Sequence, residues 1–264
     1  MFDIKKLPFY DVLPMGICSF DELKDDLLNC RALQRIPQNA KSVIVVLFPY
    51  YLGEEYYKDS NISKYAVPAD YHKICGEYLN KISLYLKNEY SDNQFEYFCD
   101  NSPVNEVKAG CLSGLGVKGE NSLLINEKYG SFCFIGEIVT DLNIPCEKND
   151  VSYCIKCGLC KTKCINNAIV EKGVIKEKCL SEITQKKGDL SSSEEALIKK
   201  SGCIWGCDIC QDNCPMNKNV SVSPIKEFYT TSKPSYKCYE DYDESRAFSW
   251  RKEDVINRNL KIVL

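Results

Sequence analysis

A chain of 264 residues is long enough for one large domain or two ordinary ones around a proper core. Its 44% hydrophobic and 27% charged residues fit a globular protein, and a net charge of −3 argues against a dedicated nucleic-acid binder. The start, MFDIKKLPFY, lacks the apolar stretch of a signal peptide, and the longest apolar run, residues 43–52, is too short to span a bilayer and is broken by Pro49. The sequence therefore reads as cytoplasmic, with no membrane partner.

Residues 41–51, KSVIVVLFPYY, are rich in β-branched and aromatic side chains and predict a buried strand. Residues 70–90 predict a helix with Ile74, Tyr78, Ile82 and Tyr85 on one stripe, backed by Leu79 and Leu86. FEYFC, residues 95–99, reads as a short strand. A second helix is expected with Ser102 as N-cap and Pro103 as its first residue, ended by Gly114 and Gly116. NSLLIN and FCFIGEIVT read as strands on either side of an EKYGS turn. Mixed strands and helices to residue 148 predict a layered α/β unit, and the whole chain is assigned to the α+β class. Residues 149–220 change to short turns around cysteines. Residues 186–200 read as a polar loop leading into a helix, and the tail, 221–264, ends in a helical KEDVINRNLKIVL.

Seventeen cysteines are many for a reducing compartment, where disulfides do not persist. Ten of them lie between Cys146 and Cys214, which points to metal; the other seven are scattered and read as small hydrophobes. The first run is C-x2-C-x2-C-x3-C: Cys154, Cys157, Cys160 and Cys164. Three closely spaced thiolates wrap one iron–sulfur cube, and the fourth reaches a second cube. The second run, Cys207, Cys210, Cys214 and Pro215, returns Cys214 to the first cube by the same rule. Cluster one thus takes Cys154, Cys157, Cys160 and Cys214; cluster two takes Cys164, Cys207, Cys210 and one more. A zinc site needs only four ligands, whereas these runs supply seven in an interleaved pattern. Spacing leaves the eighth ligand open between Cys179 and Cys203.

The ending GCDICQDNCPMN, residues 206–217, resembles the G-C-D-x-C-Q-x-x-C-P-x-N of epoxyqueuosine reductases. KCLSEIT, residues 178–184, is similar to that family's segment around a lone cysteine, which favours Cys179 as the eighth ligand. Upstream, KYAVPADYHK resembles Y-A-x-G-R-D-Y-H-K, DNSPVNEVKAGCLSGLG resembles D-T-A-P-V-L-E-R with A-G-L-G, and residues 121–142 resemble N-T-L-L-I-N followed by G-S-W-F-F-L-G-E-I. The resemblance implies an N-terminal cobalamin-binding sheet domain like that of reductive dehalogenases, followed by a ferredoxin-like domain with two [4Fe–4S] clusters. It implies that electrons from a flavodoxin or ferredoxin pass through the clusters to base-off cobalamin, and that epoxyqueuosine in a tRNA anticodon loop is reduced to queuosine. Asp100 is then the proton donor; a carboxylic acid kept protonated in a dry pocket can protonate the alkoxide of an opening epoxide. By residue type alone, Asp100 also reads as a first-turn or capping carboxylate. Asp100, Asn121, Ser122, Ser181 and Asp208 lie in matched motifs and are the expected cofactor contacts. His72, the sole histidine, reads as a helix-start or pocket-lining residue and not as a cobalt ligand.

The sequence departs from the family at basic positions: Ala69 stands before D-Y-H, Val107 ends P-V-N-E-V, and Glu120 replaces a lysine, with Lys118 two positions away. Each lost cation weakens recognition of phosphate, on cobalamin or on tRNA. Two other readings follow: the same redox machinery acting on another small substrate, or a dicluster electron-transfer protein without cobalamin. Residues 246–264 resemble the start of the helical region that follows the clusters in the family.

Overall fold

In a computed structural model, which describes residues 2–264, the chain forms two compact units that interleave along the sequence. The first comprises residues up to Pro49, Tyr71–Gly119 and Leu123–Cys154; the second comprises Tyr50–Asp70, Glu120–Ser122 and Ile155–Leu264.

The first unit is built on one four-stranded sheet, β1 (Met15–Ser19), β2 (Ser42–Pro49), β3 (Phe95–Cys99) and β6 (Cys133–Thr140), in the order β1-β2-β6-β3. Every pairing is antiparallel, which places the fold in the expected α+β class. All eight residues of β2 are buried, as a central strand covered on both faces must be. Helix α1 (Tyr71–Glu89) follows β2 in this unit. Its buried stripe is Cys75, Leu79, Ile82 and Leu86, with Ile74, Tyr78 and Tyr85 only half-buried. The predicted stripe is therefore rotated by about one position. The reason lies partly in the sheet: Gly136 of β6 leaves room that Leu79 fills, since a Cβ there would fall 2.7 Å from Leu79 Cδ1.

Helix α2 (Glu106–Leu112) starts later than predicted. Its N-cap is Asn105, whose side chain accepts the Lys108 N–H at 3.1 Å. Ser102 instead makes a tight local turn, accepting the Val104 N–H at 3.1 Å. Ser113 and left-handed Gly114 end the helix. Two-residue strands β4 (Val117–Lys118) and β5 (Leu124–Ile125) pair with each other, so NSLLIN and FCFIGEIVT belong to different sheets. The core between sheet and α2 gathers Val43, Val45, Leu47, Phe98, Val104, Ala109, Leu112 and Val139.

The second unit contains α3 (Leu159–Lys163), the hairpin β7 (Ile169–Val170) with β8 (Gly173–Val174), then α4 (Leu180–Gln185), α5 (Ser192–Ser201), α6 (Ile209–Asp212), α7 (Lys226–Thr230) and α8 (Glu253–Val263). Helix α5 starts with a capping box between Ser191 and Glu194. Segment 50–70 is stitched into this unit: Ser63 N–H donates to Trp205 O (2.8 Å), and Trp205 Nε1 donates to the Tyr65 hydroxyl (2.7 Å). From α8, Asn259 Nδ2 donates to Thr184 O (2.7 Å) and Ile204 O (2.8 Å).

Arg246, 6% exposed, holds three separate segments: Nη1 donates to Val67 O (2.7 Å) and Thr231 O (2.5 Å), and Nε to Asp243 (2.7 Å). Arg246→Ala strands two carbonyls and a carboxylate; a loss of about 3 kcal/mol in unfolding free energy is expected, measured by denaturant titration.

Candidate functional site

In the first unit, Asp100 lies just beyond the end of β3, where it and Asn101 adopt left-handed backbone angles (φ 58° and 45°). Asp and Asn tolerate that region better than other non-glycine residues, yet two in succession carry strain that the surroundings must hold. Its carboxylate is gripped from one side. Oδ2 accepts from the Tyr71 hydroxyl (2.8 Å) and lies 3.0 Å from His72 Nε2, while Oδ1 accepts the Asn101 N–H (2.7 Å). The rings that aim these donors are stacked: His72 on Tyr71 at 4.1 Å, and Tyr71 on Phe134 at 3.9 Å and 8°. Asp100 does not cap α2, a role taken by Asn105.

This setting differs from a dry acid pocket. The Asp100 side chain is 55% exposed, and the His72 contact, then the Tyr71 and Asn101 donors, hold its carboxyl down at about 2 against the upward effect of burial. At neutral pH it is a carboxylate. The neutral acids lie deeper. Glu137 of β6, between Val45 and Phe98 in register, is 0% exposed, and neither carboxyl oxygen makes a well-formed hydrogen bond among the described residues. Burial raises its pKa well above the ordinary range, and the neighbouring Glu106 adds to this. Glu106, at the start of α2, is half-buried and is pushed up to about 8 by burial and by Asp100. Tyr71, Glu106 and Glu137 lie inside the matched segments, but residue type alone assigns them no role. Glu137 is the acid of the G-E-I that matches the family motif, and it takes an inward position of a strand.

In the second unit the cysteine loops have the geometry of tight ligand turns. Lys156 (φ 54°) and Gly158 (φ 74°) flank Cys157 with left-handed backbone, and Cys160 enters α3 buried. Cys154 is the last residue of the first unit, its N–H donating to Lys118 O at 3.0 Å. Cys164 Sγ accepts the Ala168 N–H (3.3 Å). Burial pushes the thiols of Cys207 and Cys210 up to about 12, and both also feel the charge of Cys179. Cys203 is different: its thiol donates to the carbonyls of Trp205 and Gly206, each at 3.3 Å. Among the described residues, no three Cys, His, Asp or Glu side chains close to the spacing of ligands on a single ion; each ligand of a cube binds its own iron.

The remaining expected contacts are spread over the second unit. Asn121, 6% exposed, hydrogen-bonds the Cys210 sulfur, Ser122 has φ 65°, and Ser181 Oγ accepts from Gln185 (3.3 Å). Asp208 is enclosed: Oδ1 accepts from Ser63 Oγ (2.6 Å) and Gln211 Nε2 (3.0 Å), and Oδ2 from the Lys64 N–H (2.6 Å). It thereby clamps the turn that carries Cys207 and Cys210. No helix is long and apolar enough to cross a membrane among the described residues.

Comparison with known proteins agrees with this arrangement. Residues 153–217 match the family described as 4Fe-4S double cluster binding domain, and residues 31–101 match Epoxyqueuosine reductase QueG, DUF1730. The chain is 35% identical over 215 residues to an epoxyqueuosine reductase of Leadbetterella byssophila, covering 80% of this chain and 69% of that one. It is 34% identical over 190 residues to that of Cyclobacterium marinum, covering 70% and 61%. Among solved structures, the epoxyqueuosine reductase from Streptococcus thermophilus superposes with a TM-score of 0.78 at 22% identity, over 95% of this chain and 76% of that one. An epoxyqueuosine reductase with an epoxyqueuosine-modified tRNA stem loop gives 0.76 at 21%, over 95% and 76%. The reductive dehalogenase NpRdhA gives 0.54 at 14%, over 95% and 33%. A chain with a double-cluster segment, a reductive-dehalogenase-like fold and relatives at this identity belongs to the epoxyqueuosine reductase family of oxidoreductases.

Proposed function

We propose that this chain removes the epoxide oxygen of epoxyqueuosine in a tRNA anticodon loop, with two [4Fe–4S] clusters and base-off cobalamin as its redox groups. Cys154, Cys157, Cys160 and Cys214 would hold one cluster; Cys164, Cys179, Cys207 and Cys210 the other. Thiolates are the donors such clusters require, and the left-handed turns around Cys157 fit the close spacing of three ligands. Asn121, Ser122, Ser181 and Asp208 are the groups proposed to contact the corrin through amide, hydroxyl and carboxylate oxygens. Of these, Ser122 fits best, because Asp208 already has both oxygens engaged and Asn121 is bonded to the Cys210 sulfur. Cobalamin, when bound, supplies a strong reductant, and the clusters supply electrons from a flavodoxin or ferredoxin one at a time.

The observation that carries this reading is the Asp100 carboxylate presented by Tyr71 and His72 on a strained turn, within the segment matched to the family. A carboxyl so placed can give a proton to an alkoxide and be recharged by an imidazole 3.0 Å away. The test is an anaerobic preparation with an iron count, absorption spectra with and without added cobalamin, and conversion of epoxyqueuosine-containing tRNA. About eight irons per chain, corrin uptake and queuosine formation are expected. A colourless protein holding zinc would overturn the reading, and clusters without corrin uptake would leave an electron carrier.

A second reading keeps the redox groups and changes the substrate to a smaller molecule. Glu120 favours it: where the family has a lysine, this carboxylate pairs with Lys161 at 2.5 Å and neutralises that cation. Corrin binding without affinity for the tRNA stem loop would decide for it.

A further inference from the structure

Removing an epoxide oxygen to leave a carbon–carbon double bond breaks two C–O bonds and releases water. The balance is two electrons in from the low-potential carrier and two protons in from the protein. The first proton caps the alkoxide formed when the ring opens; the second leaves with the departing hydroxide. Asp100 has one exchangeable site and is ionised at neutral pH; His72 can recharge it once, so the second proton of each turnover needs a further acid.

Three carboxyls of the first unit form a series from surface to core. Asp100 is 55% exposed, Glu106 is half-buried and Glu137 is 0% exposed. Among the described residues neither Glu137 oxygen makes a well-formed hydrogen bond, and the Ser102 hydroxyl is the polar donor beside it. Its surroundings are Val45 and Phe98 across the sheet, Cys99 at the end of β3, Ser102 in the following loop, Glu106 on α2 and Cys18 on β1. An ionised carboxylate there would go uncompensated, at several kcal/mol of effective desolvation, so the group stays protonated.

We infer that Glu106 and Glu137 form a buried proton store for the proposed reaction, which passes the second proton through Glu106 to Asp100. The step rests on the epoxide-reducing reading. Glu106 loses a proton as Asp100 gains one, and Glu106 is refilled from Glu137 or from solvent between turnovers. Both glutamates act through Asp100.

Infrared spectra of the full chain at pH 7, with and without ¹³C-glutamate, test the store without substrate. Protonated-carboxyl absorption that shifts with the label is expected, with one component lost in Glu137→Gln and another in Glu106→Gln. In turnover, Glu106→Gln should lower kcat about 100-fold with KM unchanged, and Glu106→Asp should recover part of it. The wild-type rate should fall above pH about 8, as Glu106 loses its proton. Stability gives a third readout. A carboxyl raised from 4.5 to about 8 binds its proton more tightly in the folded state, so stability falls as pH rises between those values. Glu106→Gln should flatten that fall in Tm, and being half-buried it remains usable if Glu137→Gln fails to fold. A missing band beside normal turnover, or a wild-type rate in Glu106→Gln, overturns the store alone. No turnover of epoxyqueuosine by the wild-type chain overturns the substrate reading and the delivery step together.

Discussion

Asp100→Asn should retain both clusters and any bound corrin and lose turnover by about 10² to 10⁴-fold. Asparagine keeps the shape and one acceptor oxygen for the Asn101 N–H, its amide N–H can donate to the Tyr71 hydroxyl oxygen once that hydroxyl rotates, and the left-handed turn is equally open to it. What is lost is the proton. An amide cannot donate one to an alkoxide, and the effect belongs in kcat, not KM. The low pKa of Asp100 sharpens the expectation. With its carboxyl near 2, only on the order of one molecule in 10⁵ is protonated at pH 7, so loading the proton is part of the work of each cycle. His72 is the nearest loader, at 3.0 Å, and His72→Gln should therefore steepen the fall of rate with rising pH. Iron content and single-turnover rates, measured on the same preparations, check the set. Full activity in Asp100→Asn would remove this carboxylate from the chemistry.

The parts of this molecule that follow from local pattern were legible in the sequence. A continuous β-branched run became β2, and the cysteine spacing corresponds to a double-cluster segment at 153–217. What required the fold was whatever depends on a partner far along the chain. The stripe on α1 turned by a residue because Gly136, some sixty positions later, makes a notch for Leu79. Residues 50–70 carry no cysteine, yet Ser63 and Lys64 clamp the Asp208 carboxylate beside two of the proposed ligands. The protonation states were the least legible. Asp100 follows one apolar strand and Glu137 lies inside another, and neither position along the chain states a protonation state. The fold gives Asp100 three close hydrogen-bond contacts and buries Glu137 with no well-formed one among the described residues, which favours the ionised form of the first and the neutral form of the second.

The assignment of the eighth cluster ligand leads to the second large effect. Cys179→Ser should cost up to half of the iron, and Cys203→Ser should keep it. Spacing left these two cysteines level, and Cys203 is the nearer in sequence to Cys207 and Cys210. The side chains separate them. The Cys203 thiol spends its proton on two backbone carbonyls, Trp205 O and Gly206 O, which suits a neutral structural thiol. Removing it should trim those two weak bonds and little else. Both Cys203 and Cys179 raise the Cys207 thiol, and Cys179 also raises that of Cys210. The engaged Cys203 thiol and the family-like KCLSEIT segment around Cys179 are what favour Cys179 as the fourth sulfur. Iron counts and the electron paramagnetic resonance of the reduced protein should show one cluster lost in Cys179→Ser and two kept in Cys203→Ser. If the outcome is reversed, the Cys203 thiol must turn away from its carbonyls when the cluster assembles, and the loop 201–206 becomes part of the second cluster's binding turn.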